Sequence, residues 1–157
     1  MPTRVKFIDR DRGWNRVVRA FKGVKRNKVV TVGVHGGSEP YKRGGGQPAT
    51  IPQIATFQEY GTKHIPSRSF IRSTFDEKKE EWVKLVTRLE TSVSRGAISQ
   101  DVLYNLLGIK IQSDIQTKIE RLKTPPNSPL TIKLKGSANP LIDTGRMKNS
   151  ITYEIKD

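Results

Sequence analysis

The sequence predicts an α+β fold: a small antiparallel sheet packed with a long antiparallel helical hairpin and short terminal helices. Three features carry that prediction. Two long apolar stripes at helical spacing, ending near Arg95 and near Leu122, are separated by a connection of a few residues that contains Gly96. Two short runs rich in β-branched residues, KVVTVGVH at 28–35 and SITYEI at 150–155, lie near opposite ends of the chain. Gly- and Pro-rich connections fill much of the remainder. The chain of 157 residues fits one domain, 1–157.

Taken in order, residues 9–22 (DRDRGWNRVVRAFK) read as a short basic amphipathic helix. Trp14, Val17, Val18 and Phe21 recur at i, i+3, i+4 and i+7, with Arg12, Arg16 and Arg19 on the other side. The 28–35 strand follows, then the loop 36–50 (GGSEPYKRGGGQPAT), which is expected to be flexible and carries Tyr41, Lys42 and Arg43 at its tip. It matches neither a P-loop nor a strand–GxGxxG–helix fingerprint. Residues 51–60 suit a short helix with Pro52 in its first turn and Gly61 as its left-handed stop. Residues 64–72 are expected to be extended at first, because Ile65 precedes Pro66.

The first hairpin helix is expected to start at a T-x-x-E capping box, Thr74 with Glu77, and to bury Phe75, Trp82, Leu85, Val86, Leu89 and Val93 on one stripe. The second restarts at Ser99 and shows Leu103, Leu107, Ile111, Ile115, Ile119 and Leu122 at steps of four and three. A Pro-rich connection spans 124–140, with a short strand expected at Thr131–Leu134. Asp143 or Thr144 is expected to cap a helix of one or two turns through Met147, before the closing strand.

Charge is the first functional clue. The chain holds 29 Lys and Arg against 15 Asp and Glu, net +14. Residues 1–28 contribute ten basic and two acidic groups, so +8 of that total sits in the first 28 positions. Such a segment attracts polyanions, either nucleic acid phosphate or an acidic protein surface. Arg10, Arg12, Arg16, Arg19, Lys22, Lys25 and Arg26 are the candidates for facing DNA or an acidic partner. Trp14 and Phe21 share an apolar face, which favours packing over base stacking, and no sequence-reading motif is present.

Catalysis finds no support. The absence of cysteine excludes thiol chemistry and disulfides. His35 and His64 are the two histidines, without H-E-x-x-H spacing or a G-x-S-x-G elbow. The carboxylates at Asp76, Glu77, Glu80 and Glu81 fall in a helix N-terminal half, where the dipole alone accounts for them. The expectation is a protein that is not an enzyme, with no cofactor, no metal, no small-molecule substrate and no membrane association.

Two segments are informative together: IATFQEYGTKHIPSRSFIRSTFDE at 54–77 and NPLIDTGRMKNSITYEI at 139–155. Read alone, Gly61 permits a left-handed turn, Phe70 anchors the core with Ile71, and Arg68 and Arg72 project near Glu59 or Asp76. Arg146 is expected to point out, while Met147 and Ile151 point in.

The pairing of these blocks resembles the tail-completion, or virion-morphogenesis, proteins of long-tailed bacteriophages. The resemblance rests on Glu59, Tyr60, Gly61, Pro66, Arg68 and Phe70, and on Pro140, Leu141, Asp143, Thr144, Gly145, Arg146 and Ser150. Most of these are expected to hold the fold. The resemblance implies a virion protein at the neck or head-proximal end of the tail, made in the host cytoplasm. It implies a homo-oligomeric ring, a hexamer, around the DNA path that completes the tail and joins it to the head. The implied partners are connector or head-stopper proteins and tail-terminator or tail-tube proteins, with non-specific contact to phage DNA. The alternatives are a tail-terminator ring capping the tube and, in another class, a non-specific cytoplasmic DNA-binding protein.

Overall fold

A computed structural model gives the architecture and describes residues 28–35, 40 and 48–156. The basic segment 9–22, its candidate residues Arg10 to Arg26, and Tyr41, Lys42 and Arg43 of the Gly-rich loop lie outside the described residues. The fold is α+β. In chain order it runs β1 (Val29–Val34), α1 (Ile51–Tyr60), α2 (Ile71–Ser94), α3 (Gln100–Arg121), α4 (Pro129–Lys135), α5 (Arg146–Asn149) and β2 (Ile151–Lys156).

The two strands pair antiparallel, with Val32 opposite Tyr153 and Val34 opposite Ile151. A two-stranded ribbon is marginal by itself and needs a packing layer. That layer is α3, and Gly108 is what lets the ribbon come close. A Cβ on Gly108 would stand 2.4 Å from Tyr153 Cδ2, so the ring rests on bare helix backbone. The Tyr153 hydroxyl donates to Asn105 Oδ1 at 2.9 Å.

Helix α1 begins with a full capping box, Thr50 with Gln53, and ends at Gly61 with φ 78°. Its inward face is Ile51, Ala55 and Glu59, four residues apart each time. Helix α2 starts at Ile71, ahead of the expected Thr74–Glu77 box. Glu59 caps its first amides from outside, so no local cap is required; Thr74 is buried and donates to the Phe70 carbonyl, while Glu77 pairs with Lys118. The non-helical connection after α1 therefore ends at Phe70, which already has a helical backbone conformation.

Helices α2 and α3 form the predicted antiparallel pair, joined through Gly96 in a left-handed conformation and capped at Ser99. Trp82, Val93 and Leu103 are buried between them. Phe75, expected on the inward stripe, is 55 % exposed and meets Trp82 edge-on at 6.0 Å between centroids. Polar groups fix the register of the pair: Trp82 Nε1 donates to Asp114 Oδ2 at 2.7 Å, and Lys110 bridges Glu81 and Asp114.

Two local expectations fail for identifiable reasons. Thr131–Leu134 is helical, within α4, because Ser128 caps the Thr131 amide, Pro129 occupies the first turn and Gly136 closes it at φ 71°. Those terminus signals outweigh the alternating T-I-K-L pattern. Neither Asp143 nor Thr144 caps α5; Gly145 takes the N-cap position at φ 77° and no side chain caps the single turn. Arg146 is exposed and Met147 and Ile151 are buried, as their spacing predicts.

The core gathers Ile51, Ala55, Phe70, Ile115, Ile119, Leu141, Met147 and Ile151. Residues from both informative sequence blocks thus share one cluster with α3.

Candidate functional site

The motif residues of the first block build a cap and a clamp. Glu59 leaves the last turn of α1 and is 4 % exposed. Its carboxylate accepts from the amides of Phe70 (2.7 Å), Ile71 (2.9 Å) and Arg72 (3.0 Å), and from the Ser69 hydroxyl (2.7 Å). Arg72 Nε adds a charge-assisted bond at 3.0 Å, and its guanidinium lies 4.6 Å from the centre of the Tyr60 ring. Burial pushes the Glu59 carboxyl up. The Ile71, Ser69, Arg72 and Phe70 bonds together outweigh it and hold the group below its ordinary value.

Between the two helices the chain turns sharply. Gly61 sits where a Cβ would meet the Ser67 nitrogen at 2.8 Å and the Ile65 oxygen at 2.9 Å. The turn is tied by the Thr62 amide to the Ile65 carbonyl at 2.8 Å. Pro66 is exposed at its outer side.

Arg68 departs from the expectation that placed it beside Glu59 or Asp76. It is 5 % exposed and turns to the Pro-rich connection. Its Nε donates to the Pro125 carbonyl (2.7 Å), and its terminal nitrogens to Gln58 Oε1 (2.9 Å), the Pro126 carbonyl (3.0 Å) and Asn127 Oδ1 (3.2 Å). Prolines bring no amide of their own to such a segment, and its carbonyls need a donor once buried. A planar fork of donors meets that need, and burial pushes the guanidinium's pKa down. The roles of Gln58, Pro125, Pro126 and Asn127 escaped the sequence reading; a lone arginine flanked by serines, with a Pro-Pro pair far along the chain, was the available signal.

The second block packs against the first across a shallow cleft of about 210 Å³. Asp143, Thr144, Gly145 and Arg146 line it, facing Gln58 and Ile54 of α1 and Lys135 of α4. Pro140 and Leu141 are buried beneath, and Lys135 Nζ holds the Asn139 and Pro140 carbonyls at 3.1 Å each. Ser150 donates to the Met147 carbonyl at 2.7 Å. The block thus ties α4, α5 and β2 to α1.

The histidines stay apart in the fold. His35 shares its ring nitrogens with Thr152 and Thr31, and His64 is exposed on the turn after α1. Among the described residues no group of three or more His, Cys, Asp or Glu is placed to hold a metal ion, and no helix is long and apolar enough to cross a membrane. Among the described residues the motif side chains are mostly spent on holding loops to helices, and the outer surface presents donors, cations and apolar side chains. Comparison of the chain with protein-family models, with curated proteins and with solved structures gave no match.

Proposed function

We propose that the chain is a structural protein of a long-tailed bacteriophage, acting at the neck or head-proximal tail end to complete the tail and join it to the head. The observation that carries this reading is the joint presence of EYGT, IPSRSFIR and PLIDTGRM-x-x-SI in one chain. Their packing into a single body, with Glu59, Arg68, Phe70, Leu141 and Met147 all in holding roles, is what shared structural motifs require. The +8 charge of residues 1–28 supports contact with DNA phosphate or with an acidic face of an adjacent ring protein. In this reading copies associate head-to-tail into a closed ring, and the helical pair with its sheet forms the rigid body of each subunit.

Quantitative mass spectrometry on gradient-purified particles from the native source tests it. A few to a dozen copies per complete particle is the expected result; absence from complete particles removes the ring. Particles lacking the protein should have tails of normal length that fail to join heads. Overlong tails would point to a terminator ring instead.

A further inference from the structure

The side of α3 away from α2 is apolar and uncovered among the described residues. Val102, Leu106 and Ile109 are 42 %, 43 % and 53 % exposed and stand at i, i+4 and i+7. They make one stripe about 10 Å long. Asn105 and Gln116 border it around the helix. Asn105 accepts from Tyr153 of β2, and Gln116 donates to the Lys148 and Ile151 carbonyls. The stripe therefore runs beside the outer edge of β2, which pairs with no further strand among the described residues. Soluble proteins cover such edges with a helix or a loop.

Chain outside the described residues ends at this place. Lys28 opens the described segment, and its ammonium is paired with Asp101, next in sequence to Val102. The preceding residues 9–22 carry Trp14, Val17, Val18 and Phe21 at i, i+3, i+4 and i+7, the same span as the stripe. The linker 23–27 reaches about 16 Å when extended, enough to bring one over the other. A short tether gives such a segment an effective concentration in the millimolar range, which favours a segment of the same chain over a second molecule.

We propose that the Val102–Leu106–Ile109 face of α3 is the docking surface for residues 9–22 of the same chain. Trp14, Val17, Val18 and Phe21 then cover the stripe and shield the edge of β2. Arg12, Arg16 and Arg19 face outward on a fixed support, in place to meet a polyanion. The inference stands on α3 and the N-terminal sequence and does not need the phage reading.

The chain has no cysteine, so one introduced pair reports on one contact. Val17→Cys with Leu106→Cys, in the full-length protein at low concentration, should close an intramolecular disulfide under mild oxidation. A disulfide needs Cα atoms within about 7 Å, so it reads proximity directly. Val17→Cys with Lys84→Cys on α2 is the control and should stay reduced. Both new positions beside Val17 are exposed, so the fold is retained. Equal linking of both pairs, a disulfide dimer in place of the intramolecular bond, or no linking at all each overturns the proposal; the dimer would assign the face to a second copy.

Discussion

The Glu59 carboxylate stands 2.7 Å from the Phe70 amide and 2.9 Å from the Ile71 amide, so α2 is capped by a residue of the helix before it. Together with Arg72 stacked on Tyr60, this ties two helices through one buried charge. Glu59→Gln keeps the shape and one acceptor oxygen but loses the charge. It should cost about 2 kcal/mol, the scale of a charge-assisted bond in a buried site. Urea unfolding of the two proteins measures it, and equal midpoints would refute the capping role.

The same residue predicts an acid response. Its folded-state pKa is lowered, so its stabilisation is complete above the unfolded carboxyl value of about 4.3 and is lost as the pH falls through the lower folded value. Glu81 responds in the same sense: bonds from Lys110 and Lys78 hold it at about 2. Being exposed, it adds to the trend without a size that can be assigned. Unfolding free energy followed from pH 7 downward should fall less steeply below about pH 4 in Glu59→Gln than in the parent. Parallel curves through that range would contradict the assignment.

Arg68→Lys tests the clamp. Lysine keeps the charge but cannot reach the Pro125 and Pro126 carbonyls and Gln58 Oε1 with one planar fork. The buried guanidinium gives up several charge-assisted bonds to half-exposed acceptors, so the variant should lose about 2 kcal/mol. Hydrogen exchange should rise in 127–136 more than in α2 and α3, because the connection loses its anchor while the helical pair keeps its own contacts. Uniform exchange changes over the chain would argue against a local clamp.

Gly61→Ala carries two penalties at once. The residue holds φ 78°, and a Cβ would stand 2.8 Å from the Ser67 nitrogen, which is backbone and cannot swing away. The expected loss is about 2 kcal/mol or more. At Gly136 the φ is 71° but nothing lies within 4 Å of the added carbon, so Gly136→Ala should lose only about 1 kcal/mol. Gly136 is an ordinary left-handed residue at ψ 13°, whereas Gly61 at ψ 174° lies where only glycine is comfortable, so the difference between the two variants in one denaturation series measures the added strain and collision at Gly61 together.

The helical pair, α1 with Pro52 in its first turn and Gly61 at its end, and the two strands at 28–35 and 150–155 were legible in the sequence because each is written in local signals: period, proline and glycine. What was not legible depends on partners far along the chain. The true start of α2 follows from Glu59, a residue of another helix, and no local pattern announces that. Arg68 was read against nearby carboxylates, yet its partners are carbonyls at Pro125 and Pro126, which carry no sequence signature of being acceptors. The α4 segment failed in the opposite way: an alternating pattern was given more weight than Ser128, Pro129 and Gly136, whose combined signals define a helix. Glu59, Arg68, Phe70, Leu141 and Met147, in turn, are motif residues whose burial and contacts hold the fold.

Gly108 and Tyr153 give a prediction that a single substitution cannot. A Cβ at 108 would lie 2.4 Å from Tyr153 Cδ2 and 2.6 Å from Cγ, atoms near the root of the ring, so rotation about the side-chain bonds gives little relief. Gly108→Ala must therefore lift β2 from α3 or push the ring out, at a cost of about 1–3 kcal/mol despite alanine's better helix propensity. Tyr153→Ala alone removes the ring's packing and its bond to Asn105, and is also destabilising. In the double variant the new methyl occupies space the ring has vacated, and the helix gains about 1 kcal/mol from replacing glycine. The two effects should thus fail to add, with the double variant more stable than the sum of the singles by about 1–3 kcal/mol. A double-mutant cycle by urea unfolding supplies the number. Additive losses would mean that the close approach of ring and helix does not hold the sheet to α3, and that its attachment rests on Ile151 and the core around it.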